Sequence, residues 1–190
     1  MKKIITIITL GLMIMACGKQ ESIKKIGITQ IVEHPALDGA RNGFLKALED
    51  AGYKDGENLK IEYQNAQGDQ AVAQSIAESF VSDSKDLILA IATPTAQAAY
   101  NATKEIPVLI TAVTDPIQAG LAKSLEKSET NVTGTSDATP IDKQFALIRE
   151  LLPESKKVGI VYNTSELNSE VQVEIGRAHV WTPVTVGHLV

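Results

Sequence analysis

Cysteine is nearly missing from these 190 residues: there is one, Cys17. No disulfide can form within the chain, so the core alone must hold the fold. Aromatic residues make up only 4%, which leaves little from which to build base-stacking platforms. Basic charge is not in excess, with 18 Lys and Arg against 23 Asp and Glu. An acidic chain with no basic cluster argues against nucleic acid as a partner. Calcium-loop, zinc-finger and Walker patterns are absent, so no metal or cofactor is expected. A dinucleotide site wants G-x-G-x-x-G after the first strand, and "EHPALDG" at that place lacks it. A nucleophile elbow wants G-x-S-x-G, and "GTSDA", Gly134 to Ala138, misses the last glycine. His34 is the only histidine before the C-terminal tail, too little on which to build an α/β hydrolase. No catalytic set is expected.

What is present begins with an apolar run. Lys2 and Lys3 are followed by "IITIITLGLMIMA", Ile4 to Ala16, which carries no charge. A bilayer span needs about 20 apolar residues; this run instead has the length of a signal-peptide h-region. Ala16, a small residue, stands just before Cys17, and "IMAC" resembles the lipobox of bacterial lipoproteins, with Ile14 where Leu is commoner. In such proteins the thiol takes a diacylglycerol and becomes residue one after cleavage. Residues 1–16 are therefore expected to be a lipoprotein signal peptide, Cys17 the lipidation site and 17–24 a polar tether. An ordinary secretory signal with an incidental cysteine is the blander alternative.

The chain as a whole, 44% hydrophobic and 22% charged, has an ordinary globular composition. Two periods alternate. "KIGITQIV", Lys25 to Val32, is a nearly continuous β-rich apolar run, as in a strand buried on both faces. Leu37, Ala40, Phe44, Ala47, Leu48 and Ala51 recur at helical spacing and stop at Gly52. "LKIEYQNA" reads as a strand. Asp69 can cap a helix with Val72, Ile76 and Phe80 on one face. "LILAIA" is a second fully buried strand, Thr95 to Lys104 a short helix, and "PVLITAV" a strand. After a loop, Ile141, Phe145, Ile148 and Leu152 mark a helix ending before Pro153, and "KVGIVYN" is one more strand. Alternating strands and helices predict an α/β fold with a doubly wound parallel sheet.

In such a sheet ligands lie outside the carboxyl ends of the strands. There the chain places "EHPALD", "TPTAQ" and "TDPIQAG". Thr93-Pro94 and Asp115-Pro116 each set a capping residue before a proline suited to the first helical position. Helices starting there would point N–H groups into the crevice, where they suit a carboxylate. Plain helix capping explains each turn without a ligand.

Taken together, "ITQIVEHPALDGARNGFLKAL", "AIATPTAQAA", "ITAVTDPIQAGL", "NVTGTSD" and "VGIVYNTSELNS" resemble one family. It is the substrate-binding lipoproteins of ABC importers related to the tryptophan and aromatic amino-acid binders of Gram-positive bacteria. The resemblance runs from about Lys25 to Val173. It implies a type I periplasmic-binding-protein fold, with two lobes that close on a small ligand and no catalysis. It implies a small-molecule ligand such as an amino acid, an ABC permease partner, a monomer, and a lipid anchor on the outer face of the cytoplasmic membrane. A sugar or nucleoside ligand is the alternative, although Tyr53, Tyr63, Tyr100 and Tyr162 form no evident stacking cluster.

Carried over residue by residue, the resemblance implies ligand-facing roles for Gln30 and His34, the latter equally suited to capping beside Pro35. It implies that Thr93, Thr95 and Ala96 bind a carboxylate through hydroxyls and N–H groups. Thr114 and Asp115 border the fourth strand, and Asp137 would take an amino group or shape the hinge. Thr164, Ser165, Glu166 and Asn168 would begin the second lobe's share. The expected boundaries are 25–139 for the first lobe and 140–173 for the start of a truncated second lobe. The tail, Glu174 to Val190, holds the only tryptophan and two of three histidines. Gly176 and Pro183 should interrupt a helix there, and "EIGRAHV" with "TPVT" resembles one reading frame of a sequencing-adapter oligonucleotide, so 174–190 is expected to be non-native.

Overall fold

The computed structural model describes residues 23–179 and 185–189. The leader, Cys17 and most of the tether lie outside the described residues, as do 180–184 within the tail. Five strands form one parallel sheet: β1 (Lys24–Gln30), β2 (Leu59–Asn65), β3 (Leu87–Ile91), β4 (Val108–Val113) and β5 (Val132–Ser136), in the order β2-β1-β3-β4-β5. The order reverses between β1 and β3, which defines the switch point of a doubly wound sheet.

Side chains of β3 alternate between two cores, because successive residues of a strand point to opposite faces. Leu89 and Ile91 join Ile26, Ile28 and Leu59 on one face, covered by Phe44, Leu45 and Leu48 of α1 (Pro35–Asp50). Ile88 and Ala90 join the other face. There they meet Ala73, Ile76, Ala77 and Phe80 of α2 (Gln70–Ser82) and Ala96, Ala98 and Ala99 of α3 (Thr93–Ala102). Facing alanines let α2 and α3 approach closely. For that reason α2 buries Ala73 and Ala77 while Val72, expected on the core face, stays 41% exposed. Phe80 is fully buried over β1 at Gly27, where an added Cβ would lie 2.5 Å from the ring. Truncating a ring of this kind to Ala costs about 3–5 kcal/mol.

Asp69 caps α2, accepting from the N–H groups of Ala71 and Val72. Two sequence expectations need correction. Residues 132–136 form strand β5, where the Gly, Thr and Ser content reads as loop. Gly134 is required there: its φ is +151°, and a Cβ would stand 2.0 Å from the Ile110 carbonyl oxygen. Asp115-Pro116 starts a turn, not a helix; Asp115 accepts from the N–H groups of Ile117 and Gln118, both at 2.9 Å.

After β5 the chain continues as α4 (Ile141–Leu151), β6 (Gly159–Asn163), α5 (Leu167–His179) and β7 (Thr185–Leu189), with β6 and β7 parallel in a separate two-stranded sheet. Gly176 does not interrupt α5. It lies where the helix touches Phe145 of α4, and a Cβ would stand 2.8 Å from that ring. Leu147, Leu151, Leu152 and Val161 are more than half exposed. No helix among the described residues is long and apolar enough to cross a membrane.

Lys85 is the buried cation of the first lobe, its side chain 4% exposed. It donates to Glu62 at short range, reaches Asp83 at 3.5 Å and lies 5.5 Å from the centre of the Phe80 ring. The Lys85 hydrogen bond, aided by one from Gln64, holds the Glu62 carboxyl below its ordinary value of 4.5. A carboxyl more acidic in the folded chain stabilises fully above its unfolded pKa, and the effect fades as pH falls through the folded value. Glu62→Gln should therefore lower stability by about 1–3 kcal/mol at pH 7. Urea titrations should show that difference shrinking steadily below about pH 4.

Candidate functional site

The crevice at the carboxyl ends of β1, β3 and β4 is organised around the start of α3. Ala92, between β3 and α3, has φ +86° and ψ 156°, a conformation that costs an L-residue about 1–3 kcal/mol. Several bonds hold it there. Its N–H donates to the Thr111 carbonyl, and its own carbonyl accepts from Ala96 N–H and Thr95 Oγ1. The Thr95 hydroxyl also reaches the Ile91 carbonyl at 2.7 Å and is fully buried. Thr95 thus fastens the turn. Its hydroxyl is already engaged with the backbone, and so is Ala96 N–H.

Thr93 differs. It is the first helical residue, 3% exposed, and its Oγ1 has no hydrogen-bond partner among the described residues. No side chain caps α3. The sequence order suggests Thr93 as the cap before Pro94; the cap position is Ala92, and Thr93 stands one residue inside. An uncapped N-terminus carries unsatisfied N–H groups and a partial positive charge. A buried hydroxyl without a partner beside it is the chemistry of an anion acceptor.

The end of β1 is a closed network. Gln30 is fully buried; its Nε2 donates to the Val32 carbonyl and to Asp38, both at 2.8 Å, and its Oε1 accepts from Arg41 at 3.1 Å. Arg41 also pairs with Asp38 at 3.3 Å and stacks 4.3 Å from the centre of the Tyr63 ring. Gln30 therefore shapes the β1–α1 loop. His34 is exposed and caps α1, its Nδ1 accepting from Ala36 N–H.

At β4 the register shifts between Ile110 and Val113, and Ala112 takes φ +55°. This irregularity sets the direction of Thr114, whose carbonyl accepts from Ser136 Oγ and whose Oγ1 lies 3.4 Å from Gln172 Nε2. Asp137 is exposed, its N–H donating to the Val113 carbonyl. After β6, Ser165 and Glu166 lie in a turn held by Asn163. Thr164 is exposed beside them, and Asn168 Oδ1 is buried without a partner among the described residues. No group of three or more His, Cys, Asp or Glu suited to a metal occurs among the described residues. Sequence reasoning missed Arg41, Gln70 and Gln172, whose roles depend on partners 11 to 95 residues away.

The doubly wound sheet and its strand-end turns fit a solute-binding protein. Residues 25–180 match the family of ABC transporter substrate-binding proteins, and the chain belongs to it. It is 64% identical over 151 residues to a tyrosine-binding protein of Clostridioides difficile, which covers 80% of this chain and 44% of the relative. Among solved structures, the domain from Streptococcus pneumonia in complex with L-Trp has a TM-score of 0.83 at 41% identity. A ligand-free, open structure of a Clostridium difficile substrate-binding protein with adhesive properties has a TM-score of 0.67 at 56% identity. Each of these two alignments covers 88% of this chain and 58% of the other. The chain spans about half the length of the relatives it matches.

The two threonines should separate in stability measurements. Thr95→Val removes a donor from two buried carbonyls and should cost about 1–3 kcal/mol. Thr93→Val removes a buried hydroxyl with no partner and should be neutral or stabilising in the absence of ligand. Paired urea denaturation curves would check this; equal losses at both positions would contradict it.

Proposed function

We propose that the protein is an extracytoplasmic solute-binding lipoprotein that captures an aromatic amino acid and presents it to an ABC permease. The observation that carries this reading is the buried, unpartnered Thr93 hydroxyl at the uncapped start of α3. The ligand's carboxylate sits there, on the Thr93 hydroxyl and first-turn N–H groups, with Thr95 and Ala96 holding the turn in shape. Thr114 and Asp115 border the site from β4. Asp137, Ser165 and Glu166 contribute from the hinge and the second lobe, where the ligand's amino group suits a carboxylate. His34 and Gln30 support the opposite wall. The tyrosine-binding relative and the L-Trp complex favour an aromatic amino acid over a sugar or nucleoside. Ligand binding shifts an open–closed equilibrium by preferring the closed arrangement, and no chemical step is involved.

Calorimetry on the full-length protein with L-tyrosine, L-tryptophan and their carboxamides tests the carboxylate placement. A hydrogen bond to a charged group contributes about 1.5–3 kcal/mol, so Thr93→Val should weaken amino-acid binding about tenfold or more. The carboxamides should bind poorly to the unaltered protein. Binding of a sugar or nucleoside in place of both amino acids would overturn the ligand class.

Anchoring rests on the leader and "IMAC" at Cys17, where lipidation places the protein on the outer face of the cytoplasmic membrane. Cys17→Ala should move it from the membrane fraction to the medium and abolish lipid labelling. Unchanged fractionation would remove the anchor.

A further inference from the structure

Two side-chain hydrogen bonds run between the first lobe and the segment after β6: the 3.4 Å contact of Gln172 with Thr114 described above, and a shorter one from Gln70. Gln70 is the first residue of α2, directly after the Asp69 cap. Its Nε2 donates at 2.8 Å to the carbonyl of Ser165, 95 residues away in the turn between β6 and α5. That turn is otherwise satisfied from within. Ser165 N–H and Oγ both donate to Asn163 Oδ1, at 3.0 and 2.8 Å, and Asn163 Nδ2 donates to Glu166. The Ser165 carbonyl is the group that the turn presents to the first lobe. Leu167, at the start of α5, packs against the core cluster that holds Phe80, Ile88 and Ala96. One element of the second lobe, the start of α5 with its preceding turn, is thus seated on the first lobe by an amide and a leucine.

The chain superposes better on the L-Trp complex, at 41% identity, than on the ligand-free open structure, at 56% identity. The ranking by sequence identity is the reverse. A bond that exists only with the lobes together biases the equilibrium toward closure without touching ligand.

We propose that Gln70 is a positioning residue of the closed state, a latch that sets how long the crevice stays shut. The proposal rests on the solute-binding reading above. Glutamine suits the role because it combines reach with a donor. Gln70→Glu is nearly the same shape but offers the Ser165 carbonyl only acceptor oxygens. Gln70→Lys keeps a donor of similar reach. Gln70 is exposed, so neither variant disturbs the core.

The test uses full-length protein labelled on both lobes and followed by single-molecule FRET during titration with L-tyrosine and L-tryptophan. Gln70→Glu should lower the closed fraction and raise the ligand dissociation rate about three- to tenfold. Its association rate and urea unfolding midpoint should stay as in the unaltered protein. Gln70→Lys should keep dissociation near the original rate. A Gln70→Glu variant with unchanged closed fraction and unchanged dissociation would overturn the latch. If the unaltered protein closes on neither amino acid, the ligand assignment fails by itself. The latch is then judged on the ligand-free closed fraction, which Gln70→Glu must still reduce.

Discussion

Everything in the first lobe hangs on β3 being buried from both sides. Ile88 and Ala90 face one core while Leu89 and Ile91 face the other, so the strand cannot slip by one residue without exchanging both sets. That fixed register determines where β3 stops, and therefore where the Ala92 turn sits relative to β1 and β4. The Thr111 carbonyl that receives Ala92 N–H comes from the neighbouring strand. The strain at Ala92 is tolerable because the sheet on one side and Thr95 on the other leave the turn no alternative. Strained backbone at a strand end, supported by a rigid sheet, is how a fold holds open polar groups that water would otherwise satisfy.

Polar groups in the lobe divide by what surrounds them. At β1 both amide hydrogens of Gln30 are donated and its oxygen accepts from Arg41, which stacks on Tyr63, so this network rigidifies the wall and leaves the Gln30 amide no free donor. At α3 the Thr93 hydroxyl is buried and unmatched. A site needs both kinds: a frame whose hydrogen bonds are complete, and one position whose hydrogen bonds are not. Lys85 with Glu62 and Asp83 belongs to the first kind, and it ties the segment leading into β3 to β2.

Much of this is readable from residue order alone. The runs "KIGITQIV" and "LILAIA" announce two-sided strands because nothing polar interrupts their burial, and the Asp69 cap and the Gly52 stop follow from local chemistry. β5 was not readable: "VTGTS" looks like loop, and only the Ile110 carbonyl pressed against Gly134 explains why glycine belongs in that strand. The same holds at Gly176, where the helix continues because Phe145 occupies the space a side chain would need. In the site, the turn "TPTAQ" was visible, but its division of labour was not. Whether Thr93 or Thr95 has a free hydroxyl depends on which carbonyls lie behind the turn, and that is a property of the sheet. The interlobe partners of Gln70 and Thr114 lie 95 and 58 residues away, and no local pattern encodes them.

The bond between Gln70 and the Ser165 carbonyl bears on how such a receptor can change over generations. A residue inside the pocket alters selectivity whenever it alters strength, because each ligand meets it differently. A residue on the rim that acts through lobe closure multiplies the affinity for every ligand by the same factor. On the latch proposed above, substitution at position 70 retunes the working concentration of the receptor while its order of preference among ligands stays as it was.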